Sequence, residues 1–155
     1  MKKIKKIISG GQNGVDQGAL EFAFENNILS GGWCPKGRLC ENGKIPEKFP
    51  LQETLSNQYS ERTKMNIINS DGTLIISYKG TIDKGTKLTQ ELCLKNNKPF
   101  LLLNITEFIE LSKKVFPEWL ENNKLNTLNI AGPRESNCPG IQSKTKEFLK
   151  MLFGN

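Results

Sequence analysis

The stretch that most constrains the fold is Ile7-Ile8-Ser9-Gly10-Gly11-Gln12-Asn13-Gly14-Val15-Asp16-Gln17-Gly18-Ala19-Leu20. It reads as a buried strand, a glycine turn and a helix, with Ile4, Ile7, Ile8 and Val15 placing β-branched bulk on either side of the turn. Gly10, Gly11 and Gly14 let the backbone turn tightly and approach a ligand closely. A helix start offers unpaired N–H groups and the positive end of a dipole. The first expectation is therefore a phosphate or similar anion bound at the end of strand one. The glycine spacing is neither G-x-G-x-x-G nor a Walker A loop, because no Gly-Lys-Ser/Thr follows. A plain strand-to-helix turn in an α/β domain is the alternative.

At 155 residues the chain suits a single domain over 1–155 with a proper core. Its 36% apolar and 25% charged residues are those of an ordinary globular chain, and no apolar run reaches membrane-spanning length. The basic start is not read as an export signal, since Gly10 and Gly11 end its apolar run at once, so the expected location is the cytoplasm. Net charge is +6, with four lysines at positions 2, 3, 5 and 6. Such a cluster either solubilises the terminus or attracts anionic ligands. Without arginine runs and interleaved aromatics, nucleic acid is not the expected partner. There is no histidine, which removes the usual general base and any Ser-His or Cys-His dyad. The four cysteines, at 34, 40, 93 and 138, form no Cys-x-x-Cys pair, so no structural metal is expected. Cys34 as a soft-metal ligand is weighed against a buried, inert thiol, and the thiol is preferred.

Further strands are read near Trp33, at 51–55, 71–77, 98–103 and 127–131, and helices at about 14–27, 58–69, 86–96, 106–123 (interrupted at Pro117) and 141–153. The alternation implies a three-layer, doubly wound α/β domain with a mainly parallel, Rossmann-like sheet. A second strand–glycine-loop–helix unit runs through Gly80 to Thr86, with Gly85 and Thr86 as phosphate donors, Thr86 as helix cap and Lys84 adding charge. Gly132, Arg134 and Ser136 follow the last strand, at the end of the sheet where open α/β folds place ligands. Lys36 and Arg38 flank Gly37 in a loop expected to join them. Trp33 either stacks on a flat ring or packs in the core. Arg62 and Asn66, four apart on one helix face, either point at a ligand or form a solvated stripe. Replacing Gly11 with Val is expected to abolish binding with the domain intact.

Four ordered motifs carry a family resemblance: Ile8-Ser9-Gly10-Gly11-Gln12-x-Gly14-Val15-Asp16; Gly31-Gly32-Trp33-Cys34-Pro35-Lys36-Gly37-Arg38; Arg62-Thr63-x-x-Asn66-x-x-x-Ser70-Asp71-Gly72-Thr73-Leu74; and Leu128-Asn129-Ile130-Ala131-Gly132-Pro133-Arg134-Glu135-Ser136. Together they resemble the family of putative molybdenum carrier proteins, over nearly the whole chain. That family is similar to the wider Rossmann-like group containing the lysine-decarboxylase-like phosphoribohydrolases. The resemblance implies a doubly wound fold, a nucleotide-like anionic ligand and a homo-oligomer, dimer or tetramer. For carrier members the implied ligand is molybdenum cofactor (molybdopterin), a pterin with a phosphate tail. Ligand residues then fall within these motifs, Gln12, Val15 and Asp16 included. The hydrolases carry Pro-Gly-Gly-x-Gly-Thr-x-x-Glu at the second loop, where this chain has Asp83-Lys84-Gly85-Thr86-Lys87-Leu88-Thr89. Gly-Thr is kept and the Glu is not, so a binding or carrier role is preferred. The alternative is a nucleoside-monophosphate phosphoribohydrolase using one of Asp16, Asp71, Glu91 or Glu135.

Overall fold

A computed structural model of the chain describes residues 3–154; Lys2 of the basic start lies outside the described residues. The main sheet has five parallel strands, β1 (Lys6–Ile8), β2 (Leu29–Gly31), β7 (Gly72–Ser77), β8 (Phe100–Asn104) and β9 (Thr127–Ala131), in the order β2-β1-β9-β7-β8. Five helices connect or follow them: α1 (Val15–Glu25), α2 (Tyr59–Ile68), α3 (Lys84–Lys95), α4 (Ile109–Asn122) and α5 (Ile141–Phe153). Four two-residue strands lie between β2 and α2: β3 (Trp33–Cys34), β4 (Leu39–Cys40), β5 (Gly43–Lys44) and β6 (Gln52–Glu53). The result is the expected three-layer Rossmann-like arrangement.

Connection handedness assigns the helices to the two faces. The steps β1 to β2 and β8 to β9 run one way across the sheet, whereas β2 to β7 and β7 to β8 run the other. Right-handed crossovers then put α1 and α4 on one face and α2 and α3 on the opposite one. Packing agrees, since α1 lies along α5, α4 touches α5, and α2 touches α3.

The two sheet faces differ in chemistry. Leu74, Ile76, Leu128 and Ile130 point into the main apolar core with Phe22, Phe116, Leu120, Phe148 and Leu149 of α1, α4 and α5. The alternate positions carry Thr73, Ile75, Ser77 and Asn129, all buried, and face α2 and α3. A smaller cluster of Leu20, Cys34, Cys40, Ile45, Phe49 and Leu51 roots the 32–56 segment.

Some local expectations need correction. Pro117 does not interrupt α4, which runs continuously from Ile109 to Asn122. The carbonyl that Pro117 leaves without a helical donor is that of Lys113, a residue exposed to solvent. The cap of α3 is Asp83, whose carboxylate accepts from the Thr86 amide at 2.7 Å, and not Thr86 itself. On α2 the buried positions are Asn66 and Ile67, whereas Tyr59 and Ile68 are exposed. Trp33 does not extend β2. It pairs with Gln52 in a separate two-stranded ladder.

Candidate functional site

The chain leaves β1 toward one sheet edge and β7 toward the other, with β9 between them. Such a switch point opens a crevice beyond the carboxyl ends of the strands. Here it holds a cleft of about 450 Å³, within the range of small-molecule sites. Its walls come from the loops after β1, β7 and β9 and from α2, and its floor reaches Ile75 and Asn129 between α2 and α3.

The first glycine loop meets the loop after β9. Gly14 has φ +115°, and the Val15 amide donates to Pro133 O at 3.1 Å while the Glu135 amide donates to Asn13 O at 3.0 Å. The loop's own donors are consumed internally: Gly11 N by Ser9 Oγ, Gln12 N by Asp16 Oδ2, Asn13 N by Gln12 Oε1 and Gly14 N by Gln142 Oε1. The expected phosphate cradle at Gly10–Gly14 therefore has its Gly11, Gln12, Asn13 and Gly14 amides already taken, by the side chains of Ser9, Asp16, Gln12 and Gln142. Glu135 likewise fills the start of α5, accepting from the Gly140 and Gln142 amides.

Asp16 faces Arg62, with Nη1 donating to Oδ2 at 2.8 Å and both side chains close to fully buried. Burial raises the Asp16 pKa above the usual carboxylate value, opposed chiefly by the Arg62 charge. Gly10 makes this pair possible: an added Cβ would lie 1.8 Å from Arg62 Nη1. Arg134 stacks on the Tyr59 ring at 4.6 Å, and Arg62 approaches the same ring at 5.3 Å. Across the cleft stands α3. Its Lys84 and Gly85 amides sit in the first turn, where no intrahelical acceptor exists, and Thr86 and Thr89 are buried beside them.

Among the candidate residues, Gly10, Gln12, Asp16, Arg62, Asn66, Gly85, Thr86, Gly132 and Arg134 line this cleft. The others lie outside that lining. Val15 is fully buried, and Gly132 lies so close above it that an added Cβ would sit 2.7 Å from Val15 Cγ2. Gly11 has φ +82°, and an added Cβ would strike Ile45 and Leu51 at 2.6 Å, so Gly11→Val strains the loop and presses on the second apolar cluster, and its effect is not confined to binding. Ser136 is held by the Glu41 carboxylate through both its amide and its hydroxyl. The 33–38 loop does not join the other three. Gly37 N donates to Glu53, the Lys36 amide donates to Ser56 O, and the Lys36 side chain is exposed. The Arg38 guanidinium donates to the carbonyls of Leu51, Pro46 and Phe49 at 3.2, 2.9 and 2.9 Å. Trp33 is half-buried, its backbone clasped on both sides by the Asn66 amide at 2.7 and 2.9 Å. Asn66 therefore lines the cleft with its polar atoms already committed. Arg38→Ala is expected to cost about 2 kcal/mol, the worth of hydrogen bonds to a charged group, and to change ligand affinity less than about twofold. Urea unfolding and a binding titration of the same variant check both numbers.

Cys34 is fully buried and burial raises its thiol pKa, so the soft thiolate that a metal needs is disfavoured. Among the described residues no cluster of three or more Cys, Asp or Glu side chains is placed to hold a metal ion. The carboxylates lining the cleft are Asp16, bound to Arg62, and Asp83, capping α3. Glu91 is exposed on α3 and Asp71 accepts the amides of Asn126 and Thr127. The inward-facing Asn129 is not among the sequence candidates, although an amide in the middle of an otherwise apolar strand is itself a signal.

A family profile, the circularly permutated YpsA SLOG family, matches residues 7–153. The chain belongs to this family. The strand order, with β9 returning between β1 and β7, is the topology on which the SLOG-family chain builds its cleft. The chain is also similar to the 1.45 Å crystal structure of a putative molybdenum carrier protein from Syntrophus aciditrophicus SB, with 43% identity, a TM-score of 0.92, and 96% of this chain and 94% of that one covered. No curated protein matches it.

Proposed function

We propose that the chain is a binding or carrier protein for a phosphate-bearing, nucleotide-like small molecule held in this cleft. Molybdenum cofactor is the candidate cargo, given the name of its structural relative. The observation that carries the reading is the pairing of two features across one cleft. The first turn of α3 supplies unpaired amides, and Arg134 on Tyr59 supplies a cation at the opposite wall. The anion sits at the second glycine loop, at the Lys84 and Gly85 amides beside Thr86, whose own amide is held by Asp83, because side chains already take the amides of the first loop. Prior engagement of Asp16 and Asp83 favours binding over N-glycosidic hydrolysis, which needs a free carboxylate near the anomeric carbon. The protein works in the cytoplasm as a homo-oligomer, with exposed Leu55, Leu94 and Phe108 (91, 68 and 69% accessible) available to subunit contacts.

The test is a native mass spectrum of freshly purified protein, then titration with nucleoside monophosphates and with a pterin phosphate. The expected result is a stoichiometric adduct whose affinity falls at least about tenfold in Arg134→Ala, the loss of one charge-assisted contact. Base release from a monophosphate, detected in the same samples, would favour the hydrolase instead. The spectrum also reads the subunit count.

A further inference from the structure

The floor of the cleft contains a polar group that the fold itself does not use. Asn129 lies at the middle of β9, is 3% exposed, and lines the cleft beside Ile75. In register it stands opposite Thr73 of β7, and its Nδ2 donates to Thr73 Oγ1 at 3.2 Å. Thr73 also lies beside the buried Cys93 thiol of α3, opposing the rise that burial imposes on its pKa. Thr73 Oγ1 accepts from Nδ2, and this sets which way round the Asn129 amide sits. Nδ2 is turned to the strand, and Oδ1 is what remains for the cleft. Among the described residues Oδ1 has no hydrogen-bond donor. Oδ1 opens into the cleft, where a ligand N–H can take the place of water as its donor.

We propose that Asn129 is the specificity-determining residue of the cleft, its Oδ1 accepting from an N–H on the edge of the ligand's nitrogen heterocycle, with Thr73 as its positioning residue. This rests on the reading of the cleft as a nucleotide-like site. The anion stays at the mouth near Gly85 and Arg134, and the heterocycle enters between α2 and α3 until its edge meets the floor. Ile75 gives the ring an apolar surface there, and Asn129 then rejects rings that present no donor. A site built to pair a ligand N–H discriminates strongly against the analogue lacking it, because its own polar group is then left unpaired.

Two nucleotide pairs, each losing a ring-edge N–H donor by deletion of an amino group or by N-methylation, test this. Adenosine monophosphate is compared with purine riboside monophosphate, and inosine monophosphate with its 1-methyl derivative, by calorimetry on the full chain. In at least one pair the N–H-bearing member is expected to bind about tenfold tighter or more. That preference should disappear in Asn129→Leu. In Thr73→Val, which frees the amide to turn over, it should fall several-fold while binding persists. Circular dichroism confirms that each variant is folded, and Thr73→Val decides the matter if Asn129→Leu is not. Binding without preference in either pair, or a preference that survives in the folded variants, overturns the role of Asn129 and leaves the site reading standing. If none of the four nucleotides binds, the nucleotide-site reading fails, and this inference fails with it.

Discussion

Gly14→Ala is expected to remove about 4 kcal/mol of stability, enough to unfold much of the population of a domain of ordinary stability. Two costs combine. The backbone at Gly14 has φ +115° and ψ −134°, a region essentially closed to any residue with a Cβ, and such strain alone costs on the order of 1–3 kcal/mol. The added methyl would also lie 2.5 Å from Pro133 O and 2.6 Å from Glu135 N. Both are backbone atoms, which cannot swing aside as a side-chain tip can. Relieving the clash requires separating the loops after β1 and β9, and with them the Val15–Pro133 and Glu135–Asn13 hydrogen bonds. Soluble yield and the urea midpoint at room temperature measure the effect. A variant with wild-type stability would show that the two loops are not stitched as described.

Arg62→Met is expected to cost about 3–5 kcal/mol near neutral pH, the usual result of removing one partner of a buried pair. Asp16 is then left in the wall of the cleft with the Gln12 amide as its remaining polar donor. The sign of the pH dependence follows from Asp16. Its pKa in the folded state is raised, so between the unfolded value, about 3.9, and the folded value the native state holds more protons than the unfolded one. The stability owed to this group therefore falls as pH rises through that window, and the cost is constant above it. Removing Arg62 takes away the largest opposing influence and raises the folded pKa further, so the variant's deficit should shrink on acidification. Urea midpoints of wild type and variant at about pH 5 and about pH 8 test the sign, and Asp16→Asn should abolish this component. A deficit that grows on acidification would contradict the assignment of Asp16 as a carboxylate whose charge is disfavoured by burial.

Much of the fold is legible in the sequence, because the strands at 72–77, 100–104 and 127–131 are nearly continuous apolar runs bounded by turn residues. The place of the cleft is legible for the same reason, since glycine loops after parallel strands converge at one end of the sheet. Its polarity is not. Whether the amides of Gly11, Gln12 and Gly14 are free depends on which side chains return to them, and here Ser9, Asp16 and Gln142 do. Arg38 and Lys36 look alike as loop cations, yet Arg38 is spent on three carbonyls of a segment whose course no local pattern reveals. Asn66 shares a helix face with Arg62 as expected, but its amide is consumed by the backbone of Trp33, distant in sequence. Asn129 escapes a reading of the sequence because a strand's two faces cannot be ranked until the helices are assigned to them. Once α2 and α3 lie opposite the apolar core, the alternation of Thr73, Ile75 and Asn129 marks the polar face at once.

The most direct test of the central claim is an amide chemical-shift map of the ¹⁵N-labelled protein during titration with inosine monophosphate and, in parallel, adenosine monophosphate. The account predicts that the largest shifts fall on Lys84, Gly85, Thr86, Asn129 and Arg134, with the 33–38 loop unmoved. Shifts centred on Lys36 to Arg38, or none with either nucleotide, would contradict it.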